Sequence, residues 1–396
     1  MLELRVSRRI RIPDPLQLEL YRRVPELGPR ILFFSGGTAL RDVSRQLVAY
    51  THNSIHIMTP FDSGGSSAKL RKAFRMLAVG DLRNRLMALA DRSVKAQKEI
   101  IRLFAFRFPK DESDKKLRRR LDRLAEGRDP MIRAVADPMR RLIRNHLGHF
   151  LNKMPKEFDL SGANIGNLIL AGGYLNNDRH IDSVVFLFSK LVQVRGVVRP
   201  VSSENMHLAA ELEDGETLVG QHLLTGREVP PLTSPVANLY LARRLKKPES
   251  EEVFVRKKIR KLIRSAHLIC YPIGSFYTSL VANLLLKGIG DAIAEAGVPK
   301  IYIPNSSVDV EEIGMDLPLK VKTLIHYLHK SCEKPRRTDE LISHVAVDTV
   351  NTGVKLDDIK KVRDLGVEVV DLPLATDRTA PLLDSKKLVE TLVSLA

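Results

Sequence analysis

The sequence predicts an α/β fold with a doubly wound, mainly parallel sheet that helices cover on both faces. Short apolar runs, such as ILFF at 31–34 and LICY at 268–271, alternate along the chain with segments of helical periodicity. The first run is apolar at every position, which is typical of a strand buried on both faces. Because ligands of such sheets bind beyond the carboxyl ends of the strands, the loops at those ends are the first candidates for function.

One large domain is predicted over residues 1–396, since 44% hydrophobic content in a chain of this length can bury a large core. Within it we expect helical and antiparallel additions to a central core. The predicted divisions are core strands and loops at 30–90, 160–195 and 265–375, a helical insertion at about 91–156, a small antiparallel hairpin excursion at about 194–226 around Asp214-Gly215, and a basic helical segment at about 241–264.

The chain shows no apolar segment typical of a signal peptide and no run of 18 apolar residues. We therefore expect a cytoplasmic protein with no membrane partner. The sequence leaves open whether the chain forms a homo-oligomer.

The net charge of +17 is concentrated in two segments, 115–144 and 241–264. Such clusters can bind nucleic acid, but both segments also have the apolar spacing of amphipathic helices with solvated basic faces. Aromatic residues make up only 5% of the chain and tryptophan is absent, so few side chains could stack on bases. Composition thus disfavours a nucleic acid partner and favours anionic metabolites.

The first candidate loop is Ser35-Gly36-Gly37-Thr38, which follows the apolar run at 31–34. Paired glycines let the backbone approach a ligand closely, and a helix start just after them favours an anion. We expect Thr38 to cap that helix, whose apolar face is Leu40, Val43 and Leu47. The alternative is an ordinary turn that only connects a strand to a helix.

Similar small polar loops follow three further predicted strands, at 59–67, 271–279 and 303–307. At one sheet edge, their backbone N–H groups and hydroxyls could converge on a diphosphate. Asp62 is the carboxylate best placed to hold Mg²⁺, although an Asx turn or a helix cap would also explain it. Two further polar segments, GDLRN at 80–84 and SGANIGNL at 161–168, offer Arg83 and Asn167 to phosphate, base or sugar, or else simply cap helices.

In this order, the loops resemble those of the CofD/YvcK superfamily, and lie closer to the YvcK side. The resemblance runs from about Arg30 to Leu372 and is carried by FFSGGTAL, FDSGGSSAKLRKAF, VGDLRNRLMALAD, SGANIGNLILAG, LEDGETLVGQ, YPIGSFYTSLVANLLLKGIGDAI and KIYIPN. It implies a Rossmann-like core that binds a nucleotide diphosphate. In the 2-phospho-L-lactate transferases this is a guanosine-linked phospholactate, and in YvcK-type factors a UDP-sugar.

The resemblance assigns Gly36-Gly37-Thr38 and the loop at Gly274, Ser275 and Tyr277 to two phosphate loops, and aligns Asp62 with the first acid of a paired-aspartate motif. In the transferase hypothesis Asp62 and Arg83 would be catalytic, with Asp62 also the metal ligand. The predicted nucleotide and phosphate contacts are Gly36, Gly37, Thr38, Gly64, Gly65, Ser66, Ser67, Asn84, Asn164, Asn167, Gly274, Ser275, Tyr277 and Asn305.

The chain departs from the family pattern twice. Ser63 replaces the second acid of the paired-aspartate motif, and SSVDVEE at 306–312 replaces the run usual in YvcK proteins. These departures leave two functions in view. One is a transferase that moves a phosphorylated moiety from a GDP- or UDP-linked metabolite to an acceptor hydroxyl with Mg²⁺. The other is a non-catalytic UDP-sugar-binding regulatory factor of carbon or cell-wall metabolism.

Overall fold

The structure, a computed structural model, describes residues 10–93, 95–226 and 229–396. The strands in these ranges are β1 (Ile31–Ser35), β2 (Ile55–Met58), β3 (Val197–Pro200), β4 (His207–Leu212), β5 (Thr217–Val219), β6 (Val236–Ala242), β7 (Leu268–Tyr271), β8 (Lys300–Tyr302), β9 (His344–Val347) and β10 (Glu368–Asp371).

Seven of these strands form one parallel sheet, in the order β10-β9-β8-β7-β1-β2-β3. The chain builds outward from β1 in one direction through β2 and β3, and then returns to the other side of β1 through β7. The order therefore reverses between β1 and β7, where doubly wound sheets bind their ligands. This arrangement confirms the predicted α/β class and is consistent with a Rossmann-like core.

Helices cover both faces of the sheet. They are α1 (Pro15–Arg23), α2 (Arg41–Leu47), α3 (Gly65–Phe74), α4 (Gly80–Ala88), α5 (Lys95–Ala105), α6 (Asp114–Ala125), α7 (Pro130–Arg133), α8 (Met139–Lys153), α9 (Ile165–Asn176), α10 (Ile181–Leu191), α11 (Gln221–Leu224), α12 (Lys257–Arg264), α13 (Ala282–Leu284), α14 (Ile289–Glu295), α15 (Leu317–Lys330), α16 (Thr338–Leu341), α17 (Leu356–Asp364) and α18 (Ser385–Leu395). A 3₁₀ turn spans Pro25–Leu27, and a π-helix spans Phe276–Val281.

The alternation of side chains along β1 explains why this strand is apolar throughout. Ile31 and Phe33 pack in a core on the face covered by α2 and α18, while Leu32 and Phe34 pack in the larger core on the opposite face. A third core lies among α3 to α10. Of these helices, α5 to α8 lie within the insertion predicted at about 91–156 and are called the helical layer below. Because both faces of β1 are buried, the functional groups that follow it can only lie at the strand's end.

The antiparallel excursion differs from its predicted bounds. The hairpin at Asp214-Gly215 is present, since β4 pairs with β5 on either side of it. However, 197–200 belongs to the parallel sheet, and β6 at 236–242 adds a third strand to the small sheet. The turn signal identified the hairpin, but the pairing of β6 joins residues distant along the chain.

The basic segment predicted at 241–264 is helical only from Lys257 to Arg264. Its apolar positions Ile259, Leu262 and Ile263 all fall within this shorter helix, and residues 241 and 242 belong to strand β6. The intervening residues lack an apolar periodicity and contain Pro248, which cannot donate a helical hydrogen bond. No helix of the described residues is both long and apolar enough to cross a membrane.

Candidate functional site

A cleft of about 950 Å³ opens at the carboxyl edge of β1 and β2, against the helical layer. Its volume is within the range of small-molecule and cofactor sites. Gly37, Asp62 and Ser275, from three separate predicted loops, all line it. The predicted residues that line the cleft are Gly37, Thr38, Asp62, Gly64, Gly65, Ser66, Ser67, Arg83, Asn84, Asn167 and Ser275.

The first glycine loop faces the cleft with its backbone exposed. Gly37 has a φ of 29° and no atom within 4 Å of where a Cβ would stand, so space for a ligand lies directly over it. Beneath the loop, the fully buried Arg85 donates hydrogen bonds to the carbonyls of Gly36 at 3.4 Å and Leu40 at 2.9 Å. A buried guanidinium thus fixes the loop from below.

Thr38 does not cap the following helix as predicted. Helix α2 begins at Arg41, its N-cap is Leu40, and no side chain caps it. The carbonyl of Thr38 instead accepts from the N–H of Arg41 at 2.9 Å in the turn before the helix. Because the chain makes this extra turn, the Thr38 side chain stays exposed at the cleft.

Gly80 lies where three predicted polar side chains meet. A Cβ at this position would come within 2.9 Å of Ser67 Oγ, 3.2 Å of Asp62 Oδ2 and 3.7 Å of Asn167 Nδ2. These groups belong to three different segments, and the absence of a side chain at Gly80 lets them converge. The other Asp62 oxygen, Oδ1, accepts from the N–H of Gly64 at 3.0 Å, so the Asx turn is present and still leaves Oδ2 directed to this junction.

Asp81 is a second carboxylate beside Asp62, and the sequence analysis missed its role. Burial, followed by the charge of Asp62, raises the pKa of Asp81 to about 6, while the N–H of Gly37 and two nearby arginines act in the opposite direction. No group of three or more His, Cys, Asp or Glu side chains among the described residues could hold a metal alone. Mg²⁺, however, usually binds one or two carboxylates together with the phosphates of a ligand. Asp62 and Asp81 therefore fit a Mg²⁺ that a diphosphate completes.

Three helices begin at this cleft. The first turns of α3, α4 and α9 supply Ser66 and Ser67, Asp81, and Asn167 to its lining. The N-terminus of a helix carries unpaired N–H groups and the positive end of the helix dipole. Three such ends on one cleft favour an anionic ligand.

In the second predicted phosphate loop, the N–H groups of Gly274 and Phe276 have hydrogen-bond partners within the chain. The N–H of Gly274 donates to Asn305 Oδ1 at 2.8 Å, and Asn305 Nδ2 donates back to the Gly274 carbonyl at 2.8 Å. The N–H of Phe276 donates to Asp309 Oδ2 at 2.9 Å. Asn305 thus fixes the loop internally and does not line the cleft.

Glu311 completes this internal cap. Its Oε2 accepts from the N–H groups of Tyr277 at 2.9 Å and Thr278 at 2.8 Å, and its Oε1 accepts from the Thr278 hydroxyl at 2.5 Å. Burial, together with the nearby Asp309, raises the pKa of Glu311 to about 8. Acidic side chains from 306–312 therefore bind backbone donors of this loop, and Ser275 is the predicted residue of the loop that lines the cleft.

Two more predicted contacts have structural partners. The hydroxyl of Tyr277 is buried and donates to the carbonyl of Val236 at 3.3 Å. Asn164 is the N-cap of α9, where its side chain accepts from the N–H of Asn167 at 3.0 Å. Neither residue lines the cleft, and nor do Gly36 and Gly274.

Comparison with known proteins supplies the family. The family model for the 2-phospho-L-lactate transferase CofD matches residues 31–375, which is most of the chain. The chain belongs to the CofD family. This result confirms the resemblance drawn from the loop motifs.

Among the relatives of this CofD-family chain, a putative gluconeogenesis factor of Nostoc sp. is 31% identical over 70% of the chain, which spans about half (47%) of that relative. The gluconeogenesis factor of Listeria monocytogenes is 28% identical over 72% of the chain and 70% of its own length. A member of the UPF0052 family from Bacillus halodurans matches in structure with a TM-score of 0.66 and 23% identity, covering 92% of this chain and 99% of that one.

Several residues of the CofD-family cleft escaped the sequence analysis. They include Lys69, Arg107, Lys110, Gln221 and His222. The basic residues carry no local motif, because their position depends on how the helical layer packs against α9. Gln221 and His222 lie in the LEDGETLVGQ region and just beyond it, and the hairpin signal there indicated a turn rather than a site.

Ser63, which replaces the second family acid, has a specific partner. Its hydroxyl lies 2.8 Å from Nδ1 of His222 and accepts from the backbone N–H of His222 at 3.2 Å. Ser63 therefore links the loop after β2 to α11, where the family acid would add a charge.

Proposed function

We propose that this CofD-family chain binds a nucleotide-diphospho metabolite in the cleft and transfers its phosphorylated moiety to an acceptor hydroxyl with Mg²⁺. The observation that supports this most directly is the meeting of three helix N-termini with the loop at Gly37 and Thr38 around one cleft of about 950 Å³. The same arrangement would suit few neutral ligands, because the N-terminal dipoles and N–H groups favour negative charge.

In this proposal, the loop at Gly37 and Thr38 and the side chains of Ser67 and Asn167 bind the diphosphate. Asp62 and Asp81 would hold Mg²⁺, which neutralises phosphate charge when bound. The acceptor oxygen forms a bond to the distal phosphorus, the bridging P–O bond breaks, a nucleoside monophosphate leaves, and the acceptor proton passes to solvent in the open cleft. Arg83 then balances charge that builds up on the phosphoryl oxygens.

The second candidate is a non-catalytic regulatory factor that binds a UDP-sugar. Two observations favour it: Ser63 replaces an acid of the family motif, and the chain's own carboxylates occupy the second loop. Relatives that bear the name gluconeogenesis factor are consistent with such a role. Both candidates place the diphosphate in the same cleft and differ only in turnover.

One experiment separates the two candidates. Purified protein is incubated with Mg²⁺, GDP- and UDP-linked conjugates and hydroxyl acceptors, and released nucleotide is measured beside thermal stability. Ligand at about 100 times its dissociation constant should add about 2.7 kcal/mol of stability under either candidate. Nucleotide release supports the transferase, whereas a stability gain without release supports the regulatory factor. Neither signal with any nucleotide would contradict both.

Gly80→Ala tests the junction on which the proposed metal site depends. The added methyl would crowd Ser67 Oγ and Asp62 Oδ2, so we expect Mg²⁺-dependent nucleotide affinity to fall about tenfold while the protein stays folded. Gly148→Ala is the control. Gly148 lies on α8 away from the cleft, and a Cβ there would meet no atom within 4 Å. Equal affinities for both variants would argue against this metal and phosphate site.

A further inference from the structure

The end of the cleft against the helical layer carries three cations that form no ion pair with a carboxylate in the described residues. Arg83, Arg107 and Lys110 line this end. Arg83 donates to the carbonyl of Phe104 at 3.2 Å and to Asn84 Oδ1 at 2.6 Å, and Arg107 donates to the carbonyl of Gly162 at 2.7 Å. All of these acceptors are neutral. Within the described residues, none of the three cations has a carboxylate within ion-pair distance.

Lys69 shows what a neutralised cation at the same cleft looks like. Its ammonium contacts Asp159 Oδ2 at 2.6 Å and the Ser161 hydroxyl at 3.3 Å. Lys69 therefore forms an ion pair at the cleft. Among the described residues, Arg83, Arg107 and Lys110 form no such ion pair.

Arg83 is buried beside the cleft, whereas Arg107 and Lys110 are exposed. Arg83 is 8% exposed, and its Nε is buried without a hydrogen-bond partner. Its side chain runs against Gly166, where a Cβ would come within 2.7 Å of Arg83 Cδ. Lys110 packs along Gly162, where a Cβ would stand 3.3 Å from Lys110 Cγ. Glycines thus lie at the points where these side chains pass.

Arg83 and Arg107 also repel each other. Burial, followed by the charge of Arg107, lowers the pKa of Arg83 to about 10, and Asp81 and Asp62 oppose this only in part. Close like charges are costly unless an anion lies between them. Guanidinium groups are well suited to phosphate and carboxylate because their donors match two oxygens at once.

We propose that Arg107 and Lys110, beside Arg83, form a second anion subsite, which binds a phosphate or carboxylate group separate from the diphosphate. This inference rests on the proposed function for the position of the diphosphate. It adds that the sugar-side portion of the ligand, or the acceptor, carries an oxyanion. A neutral acceptor would leave Arg107 and Lys110 unpaired in the complex.

The subsite is tested with inorganic phosphate as the probe, by calorimetric titration of the full chain in the presence and absence of saturating UDP or GDP. The test variant is Arg107→Gln with Lys110→Gln. The matched control is Arg102→Gln with Lys115→Gln, which removes the same charge from exposed positions of the helical layer. We expect phosphate to bind beside the nucleotide, with its dissociation constant raised at least tenfold in the test variant and less than twofold in the control.

Lys110→Gln alone is a second variant that should not disturb folding, because Lys110 makes no side-chain hydrogen bond in the described structure. We expect it to raise the dissociation constant of phosphate at least threefold. An acetate titration identifies the group, since displacement of phosphate by acetate indicates a carboxylate-bearing ligand and no displacement indicates a phosphate. Two results would overturn the proposed subsite. One is complete displacement of phosphate by the nucleotide, and the other is equal binding of phosphate to the test variant and the control. Loss of phosphate in the test variant when neither nucleotide binds would support the subsite and contradict the proposed function.

Discussion

Two glycine loops follow β1 and β7, the strands between which the order of the sheet reverses. The two loops have similar positions in the fold but different hydrogen-bond partners. Both follow a buried parallel strand, and both contain a glycine with positive φ, Gly37 at 29° and Gly274 at 139°. In the first loop, the space over Gly37 is open to the cleft, and the N–H of Gly37 is directed to Asp81. In the second, Asn305, Asp309 and Glu311 bind the donors of the turn and of the helix that follows.

The two loops therefore differ in where their polar partners come from. The acidic side chains beside the second loop lie about 30 residues beyond it, in the segment where this chain departs from the YvcK pattern. In our proposal the first loop is left for a ligand, whereas the second is held by the chain itself. Each of the following predictions tests this difference between the two loops.

The largest effect is expected from Glu311→Gln, through the pH dependence of stability. The pKa of Glu311 is about 8 in the folded protein, against an ordinary value of 4.5, so the folded state binds more protons than the unfolded state between these values. Stability should therefore fall as pH rises through this window, by at most about 1.4 kcal/mol per pH unit.

Glu311→Gln should flatten this decline, because the amide keeps the shape and cannot ionise. Urea denaturation at pH values from 5 to 9 measures the free energy of unfolding. Glu249→Gln is the control, because Glu249 is exposed in a loop. Some slope should remain from Asp81 and Glu312, whose pKa values are also raised. A variant that follows the wild-type curve would show that Glu311 is not a buried acid of this kind.

The second prediction compares Gly37→Val with Gly274→Ala. Valine strains a position of positive φ and fills the open space over the first loop, so nucleotide affinity should fall at least tenfold. Gly274→Ala strains the second loop as well, but its N–H already binds Asn305, so stability should fall while affinity stays within twofold. Thermal-shift measurements with and without GDP or UDP give the stability and the nucleotide affinity of each variant. Equal losses of affinity would mean that the second loop also holds phosphate.

The smallest effects distinguish the threonines of the two loops. Thr38→Ala removes an exposed hydroxyl, so affinity should fall a few-fold, equivalent to about 0.5–1.5 kcal/mol, without loss of stability. Thr278→Ala removes the buried donor to Glu311, so stability should fall by about 1–3 kcal/mol and affinity should not change. The opposite pattern would reverse the roles given to the two loops.

Local sequence was sufficient for features that depend on near neighbours. The burial of Ile31 to Phe34, the start of α4 at Gly80 and the hairpin at Asp214-Gly215 follow from periodicity and turn chemistry. Thr38 was mispredicted as a cap because the chain makes one more turn before α2. The signal for a helix start was correct, but its exact residue depended on how the turn packs over Arg85.

Residues that act through distant partners could not be predicted in this way. Asp81 gains its raised pKa from burial and from Asp62, and Arg107 reaches the cleft only because the helical layer packs against α9. Neither spacing nor residue type distinguishes them from ordinary surface charges. The Ser63 to His222 contact likewise joins positions 159 apart in the sequence.

The sequence by itself determined the doubly wound sheet and the loops at its carboxyl edge, because strand burial, glycine turns and helix starts are encoded within a few residues of each other. Tertiary structure alone decided which loop stays open, which cations remain unpaired and which carboxylates stand together. Those properties depend on burial and on charge at short range, and both arise only when distant segments have packed.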